Sequence, residues 1–120
     1  MATTTSLFKN VTGGEPVARG ATVFRAGDAA DHLYVVQEGT IEIRLGDQVL
    51  DVIGPGGVFG EMAMIDGSTR SADATATEDS VVVPVDQKRF DFLIQQTPFF
   101  ARTLMNILVE RLRAANPSCT

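Results

Sequence analysis

The stretch "GTIEIRLGDQVLDVI", Gly39 to Ile53, alternates apolar and polar residues on both sides of one turn signal. Ile41, Ile43 and Leu45 fall on one face of an extended chain, with Glu42 and Arg44 on the other, a period of two that predicts a strand with one buried side. Gly46-Asp47 followed by "QVLDVI" predicts a hairpin turn and a second strand. Working outward, "ATVFRAGDAADHLYVV" supplies two more strands around Gly27-Asp28, and "GPGG", Gly54 to Gly57, reads as a loop. "SADATA" and "SVVVPV" give the last strands, so Val17 to Val85 is a succession of short strands punctuated by glycine and aspartate.

After Val85 the period changes. Asp86 can cap a helix whose inner side is Phe90, Leu93 and Ile94. Thr97-Pro98 stops that helix and starts another, running from about Pro98 to Ala115 with Pro117 as its end. The fold expected is mainly β, a jelly-roll-like β-roll with a short N-terminal helical turn and two C-terminal helices.

A chain of 120 residues, 44% hydrophobic and 21% charged, has room for one domain with a single core. The expected layout is a tail and short helix over 1–12, the latter from Ser6 to Val11, then one domain over 13–120. The formal charge of −5 argues against a protein that binds nucleic acid through phosphate contacts. Cys119 is the one cysteine, which fits a reducing compartment, and no apolar run approaches the ~20 residues of a membrane span. Neither a secretory leader nor a membrane anchor is expected, and a cytoplasmic location is. His32 is the one histidine, too few for a cupin-like metal site and placed with no nucleophile at a useful spacing; it is expected at a surface or edge. No catalysis, cofactor or metal is expected, and Met62, Met64 and Met105 are expected to fill core or seam.

One stretch carries chemistry: "FGEMAMIDGSTRSADA", Phe59 to Ala74. Gly60 permits close approach, and the turn that follows it, Glu61 to Met64, can present unpaired backbone amides to an anion. Arg70 returns on the next strand with a planar fork suited to phosphate. Glu61 would repel a phosphate but accept a hydroxyl, so a sugar phosphate satisfies both residues. The alternative on the residues alone is an ordinary ion pair between Glu61 and Arg70 that ties a loop to a strand.

Extended to Ala76, the stretch "FGEMAMIDGSTRSADATA" resembles the phosphate-binding cassette of the cyclic nucleotide-binding domain family, whose members include activators of the catabolite type and the regulatory domains of kinases and channels. "VFRAGD" and "LYVVQEGTIEI" resemble its early strands and "ERLR" the end of its last helix. The resemblance implies that Glu61 accepts a ribose 2′-hydroxyl beside the Gly60 backbone. It implies that Arg70 pairs with the cyclic phosphate, helped by amides near Met62-Ala63 and Ser71-Ala72. Cyclic AMP is the ligand favoured, with cyclic GMP the alternative, because Ser71 occurs in the family with either. Thr69 stands where many members have proline, and Asp73 where threonine or valine is frequent. Asp73 would weaken phosphate binding if it faced the phosphate, although strand alternation does not place it on the face of Arg70.

The last helix carries two stripes. Phe100, Leu104, Ile107 and Arg111 lie along one side, and Ala101, Met105, Leu108, Leu112 and Ala115 along the other. One stripe packs a helix on a roll; the second resembles a short coiled-coil seam and implies a parallel homodimer, the alternative being a more deeply buried helix in a monomer. Arg111, closing the inner stripe, either caps a purine base, as the similar Arg-Leu pair of some channel members does, or faces solvent. The function expected is a stand-alone cyclic nucleotide sensor that signals through its C-terminal helix to a downstream protein. The alternatives are an interaction module of the same fold that binds no nucleotide, and the sensory part of a larger regulator or channel. With no recognition helix in the sequence, DNA reading would fall to a partner.

Overall fold

The alternation read from Gly39 to Ile53 is one of several that build two four-stranded sheets. In the computed structural model, which describes residues 14–115, the strands are β1 (Glu15–Val17), β2 (Thr22–Phe24), β3 (His32–Glu38), β4 (Ile41–Leu45), β5 (Gln48–Ile53), β6 (Val58–Phe59), β7 (Asp73–Ala76) and β8 (Ser80–Asp86). A short helix α1 (Glu61–Asp66) interrupts them, and α2 (Gln87–Gln96) and α3 (Pro98–Ala115) follow. One sheet has the order β1-β8-β3-β6 and the other β2-β7-β4-β5, with every pairing antiparallel. This is a jelly roll with helices at its C-terminal end, as the sequence predicts. The expected helix at Ser6–Val11, Pro117 and Cys119 lie outside the described residues. No helix among the described residues is long and apolar enough to cross a membrane.

Strands β3 and β8 explain why "LYVV" and "SVVVPV" read as apolar runs. Both of their faces are covered along the middle of each strand, so members of both alternate sets are buried there. Leu33, Val35, Val83 and Val85 face the helices, where they pack with Val58, Met64, Phe100 and Leu104. Val36 and Val82 face inward and meet Ile41, Ile53, Phe59, Ala74 and Ala76 between the sheets. Pro84 is tolerated in β8 because β1 reaches only to Val82, leaving no neighbour on that side to need its missing N–H.

The helices form as read. Asp86 caps α2 by accepting the N–H of Arg89 at 2.8 Å, and the Thr97 carbonyl accepts the N–H of Phe100 in the first turn of α3 at 2.9 Å. Phe100 and Leu104 are buried, with Ile107, Leu108, Phe90, Leu93 and Ile94 packed around them. A phenylalanine buried like Phe100 is worth about 3–5 kcal/mol over alanine, enough to hold α3 on the roll.

Two sequence expectations need correction. Leu45 shares a face with Ile41 and Ile43 by alternation but is exposed, because the register slips between Ile43 and Arg44 and the hairpin runs past the roll. Its turn is as read: Gly46 at φ +60 opens a two-residue connection between Leu45 and Gln48. Met62 is exposed rather than a core filler, whereas Met64 is buried, since a six-residue helix can turn only one side to the core.

Candidate functional site

The site grows from the break between β6 and α1. Gly60 caps α1 at φ +78, and no side chain caps the helix's first turn. A Cβ added at Gly60 would lie 2.8 Å from Nη1 of Arg70 and 3.1 Å from the Phe24 ring, so both backbone conformation and space require glycine here. The helix ends at Gly67, and the chain returns to Arg70, whose N–H donates to the Asp28 carbonyl while its own carbonyl accepts from Gly27, both at 2.8 Å. These two bonds fix the backbone of Arg70 against the turn after β2.

Arg70 is only 4% exposed. Nη1 donates to the Gly60 carbonyl at 2.6 Å, Nη2 donates to the His32 carbonyl, and the guanidinium lies over Phe24, 4.1 Å from the ring centroid. Among the described residues no carboxylate forms an ion pair with it, and its buried Nε has no hydrogen-bond partner. Burial pulls this guanidinium below its ordinary value, against smaller upward pulls from Tyr34, Asp31, Glu61 and Asp28. A cation taken out of water without a counter-ion is costly, and carbonyls and a ring face offset only part of that. Chemically, the arrangement is suited to an anion.

Glu61 is 1% exposed and is not paired with Arg70. The ion-pair alternative for the two cassette residues therefore fails, because each has found another partner. Glu61 Oε1 accepts from Nη1 of Arg111, whose Nη2 donates to the Val58 carbonyl. Arg111 thus turns its head inward, at the end of the stripe Phe100, Leu104 and Ile107, instead of out to solvent.

The remaining cassette residues alternate in exposure. Met62 and Ser71 are exposed, while Ala63 and Ala72 are buried beside them. Asp73 is turned away from Arg70: its carboxylate accepts the Ala26 N–H at 2.7 Å and pins the turn after β2. His32, the first residue of β3, is partly exposed and paired with Asp31 at 2.8 Å, closer to the surface position expected than to an edge one since β3 is an interior strand, and its carbonyl holds Arg70. That carbonyl, the Phe24 ring, the Val58 carbonyl and Asp51, which lies 3.5 Å from Nε of Arg111, escaped the sequence reading. "VFRAGD" marks Phe24 as a strand residue but carries no sign that its ring sits under an arginine.

Comparison with known proteins bears on this geometry. Residues 15–97 match the family described as Cyclic nucleotide-binding domain. The Cyclic AMP receptor protein of Thermus thermophilus is 36% identical over 103 residues, which cover 82% of this chain and 48% of that protein, so the chain spans about half the length of this curated relative. The crystal structure of the Thermus thermophilus catabolite activator protein superposes with a TM-score of 0.78 at 30% identity, covering 93% of this chain and 60% of that one. A structure from work on a cyclic-GMP-dependent signalling pathway that regulates bacterial phytopathogenesis gives 0.79 at 26% identity, covering 94% and 95%. With its jelly roll, its Gly60-Glu61 turn and its returning Arg70, the chain belongs to the cyclic nucleotide-binding domain family.

Proposed function

We propose that this domain senses a cyclic nucleotide, cyclic AMP ahead of cyclic GMP, and transmits its ligand state through α3. The observation that carries the reading is Arg70, a buried guanidinium that has, among the described residues, no carboxylate partner and an unpartnered Nε. A cyclic phosphate is the counter-ion this cation lacks, with amides of Met62, Ala63, Ser71 and Ala72 as further donors. Glu61 accepts the ribose 2′-hydroxyl, which a phosphate-only ligand would not offer. The preference for cyclic AMP leans on the Thermus thermophilus relative, a cyclic AMP receptor by name.

Binding, not catalysis, is the role assigned, in a reducing cytoplasm and with a protein as the downstream target. Because Arg111 on α3 ends at Glu61, ligand and helix position are linked through one carboxylate. The ligand can shift α3 only by its differential affinity for the helix's two positions. We also assign the exposed ridge Met105, Val109 and Leu112 to a parallel homodimer, since apolar side chains spaced four and three apart on a helix are suited to a two-stranded seam.

The test of the reading is Arg70→Ala. It removes a charge-assisted contact of ~1.5–3 kcal/mol, so affinity for cyclic AMP is expected to fall roughly ten- to a hundredfold. An unchanged affinity in the folded variant overturns the assignment.

A further inference from the structure

The guanidinium of Arg111 meets three elements of the roll at once. Nη1 donates to Glu61 at the start of α1, Nη2 to the Val58 carbonyl of β6, and Nε lies 3.5 Å from Oδ2 of Asp51 on β5. Asp51 is itself oriented, because its other oxygen, Oδ1, accepts the N–H of Val52 at 2.8 Å. A guanidinium is a rigid planar fork, so a carboxylate that holds its Nε edge also sets the direction of both Nη groups.

That direction matters at Glu61. Arg111 is the only hydrogen-bond partner of this carboxylate among the described residues, and it engages Oε1 alone. A carboxylate offers about four lone-pair sites, which leaves Oε2 for a neutral donor. A carboxylate rotated out of this position is a poorer acceptor for a sugar hydroxyl.

Resting on the nucleotide-binding reading above, we propose that Asp51 is a positioning residue for sugar recognition. Asp51 holds Arg111, Arg111 holds Glu61 in place, and Glu61 accepts the 2′-hydroxyl. The chain of contacts starts on an edge strand outside the cassette and passes through α3, so it ties sugar affinity both to the β4–β5 hairpin and to helix position.

The probes are cyclic AMP and 2′-deoxy cyclic AMP, titrated into the wild type and into Asp51→Asn, which keeps an acceptor for Val52. The Asp51–Arg111 pair is partly exposed, at 44% and 26%. Its loss is therefore expected to weaken cyclic AMP binding about two- to fivefold. The deoxy nucleotide, which has no hydroxyl for Glu61, is expected to bind the variant as it binds the wild type, so the discrimination between the two narrows. Equal weakening of both nucleotides would mean a general structural role, and no change in either would mean that Arg111 needs no help from Asp51. Either result overturns the proposal while leaving the nucleotide reading intact. A wild type that binds neither nucleotide, or both equally, removes the sugar role of Glu61 itself and the proposal with it.

Discussion

Arg70 and Tyr34 share one aromatic floor. Phe24, Tyr34 and Phe59 lie in mutual contact, with Tyr34 stacked on Phe59 at 5.2 Å and the Arg70 guanidinium over Phe24. Burial raises the Tyr34 phenol above its ordinary value, and the neighbouring charge of Arg70 pulls the other way. The folded chain thus holds the Tyr34 proton at a pH where the unfolded chain has begun to lose it. The stability this confers is complete below the ordinary tyrosine value of about 10 and is lost as pH rises through the folded value. Tyr34 is the one tyrosine and the chain has no tryptophan, so phenolate absorbance reports it alone. The native midpoint is expected above the midpoint in denaturant, and Tyr34→Phe is expected to lose stability less steeply in alkali. Equal midpoints contradict the packing described. Cyclic AMP is expected to move the native midpoint further up, since a phosphate at Arg70 offsets the downward pull of that charge on the phenol.

Among the elements, α3 has two unlike faces, one packed on the roll and one exposed. Its inner stripe was legible because Phe100, Leu104 and Ile107 repeat at helical spacing, and local chemistry made Asp86 and Thr97-Pro98 readable as boundaries. The outer face was read less well. Leu108 packs against the core with the inner stripe, and the exposed ridge runs through Val109 instead, from Met105 to Leu112. Spacing alone could not tell on which side of Leu108 the roll lies. Each of these side chains is worth roughly 1.5–3 kcal/mol when buried, so a seam built on them should hold a dimer. Sedimentation velocity is expected to show that dimer, and Met105→Glu with Leu112→Glu is expected to raise its dissociation constant by about tenfold or more. A wild type that stays monomeric at every concentration contradicts the seam.

For the whole molecule, the roll gathers a site from pieces distant in sequence. The cassette is contiguous, so Gly60, Glu61 and Arg70 declared themselves; the contacts that orient them span 38 and 50 residues and did not. The Glu61–Arg70 ion pair was a fair expectation from spacing, yet each residue was claimed by a group that only the fold brings near. Leu45 was misplaced for a similar reason, since a slip in register breaks the alternation on which a face is read. The net charge of −5 describes the chain as a whole, while the buried Arg70 guanidinium, which has no carboxylate partner among the described residues, sets the chemistry of the site. A cyclic nucleotide is the ligand proposed for this site. Calorimetric titration of the purified protein, freed of bound nucleotide, with cyclic AMP and then cyclic GMP tests it most directly. Saturable one-site binding at micromolar or tighter affinity, stronger for cyclic AMP, is the predicted result; flat traces for both from folded protein would contradict it.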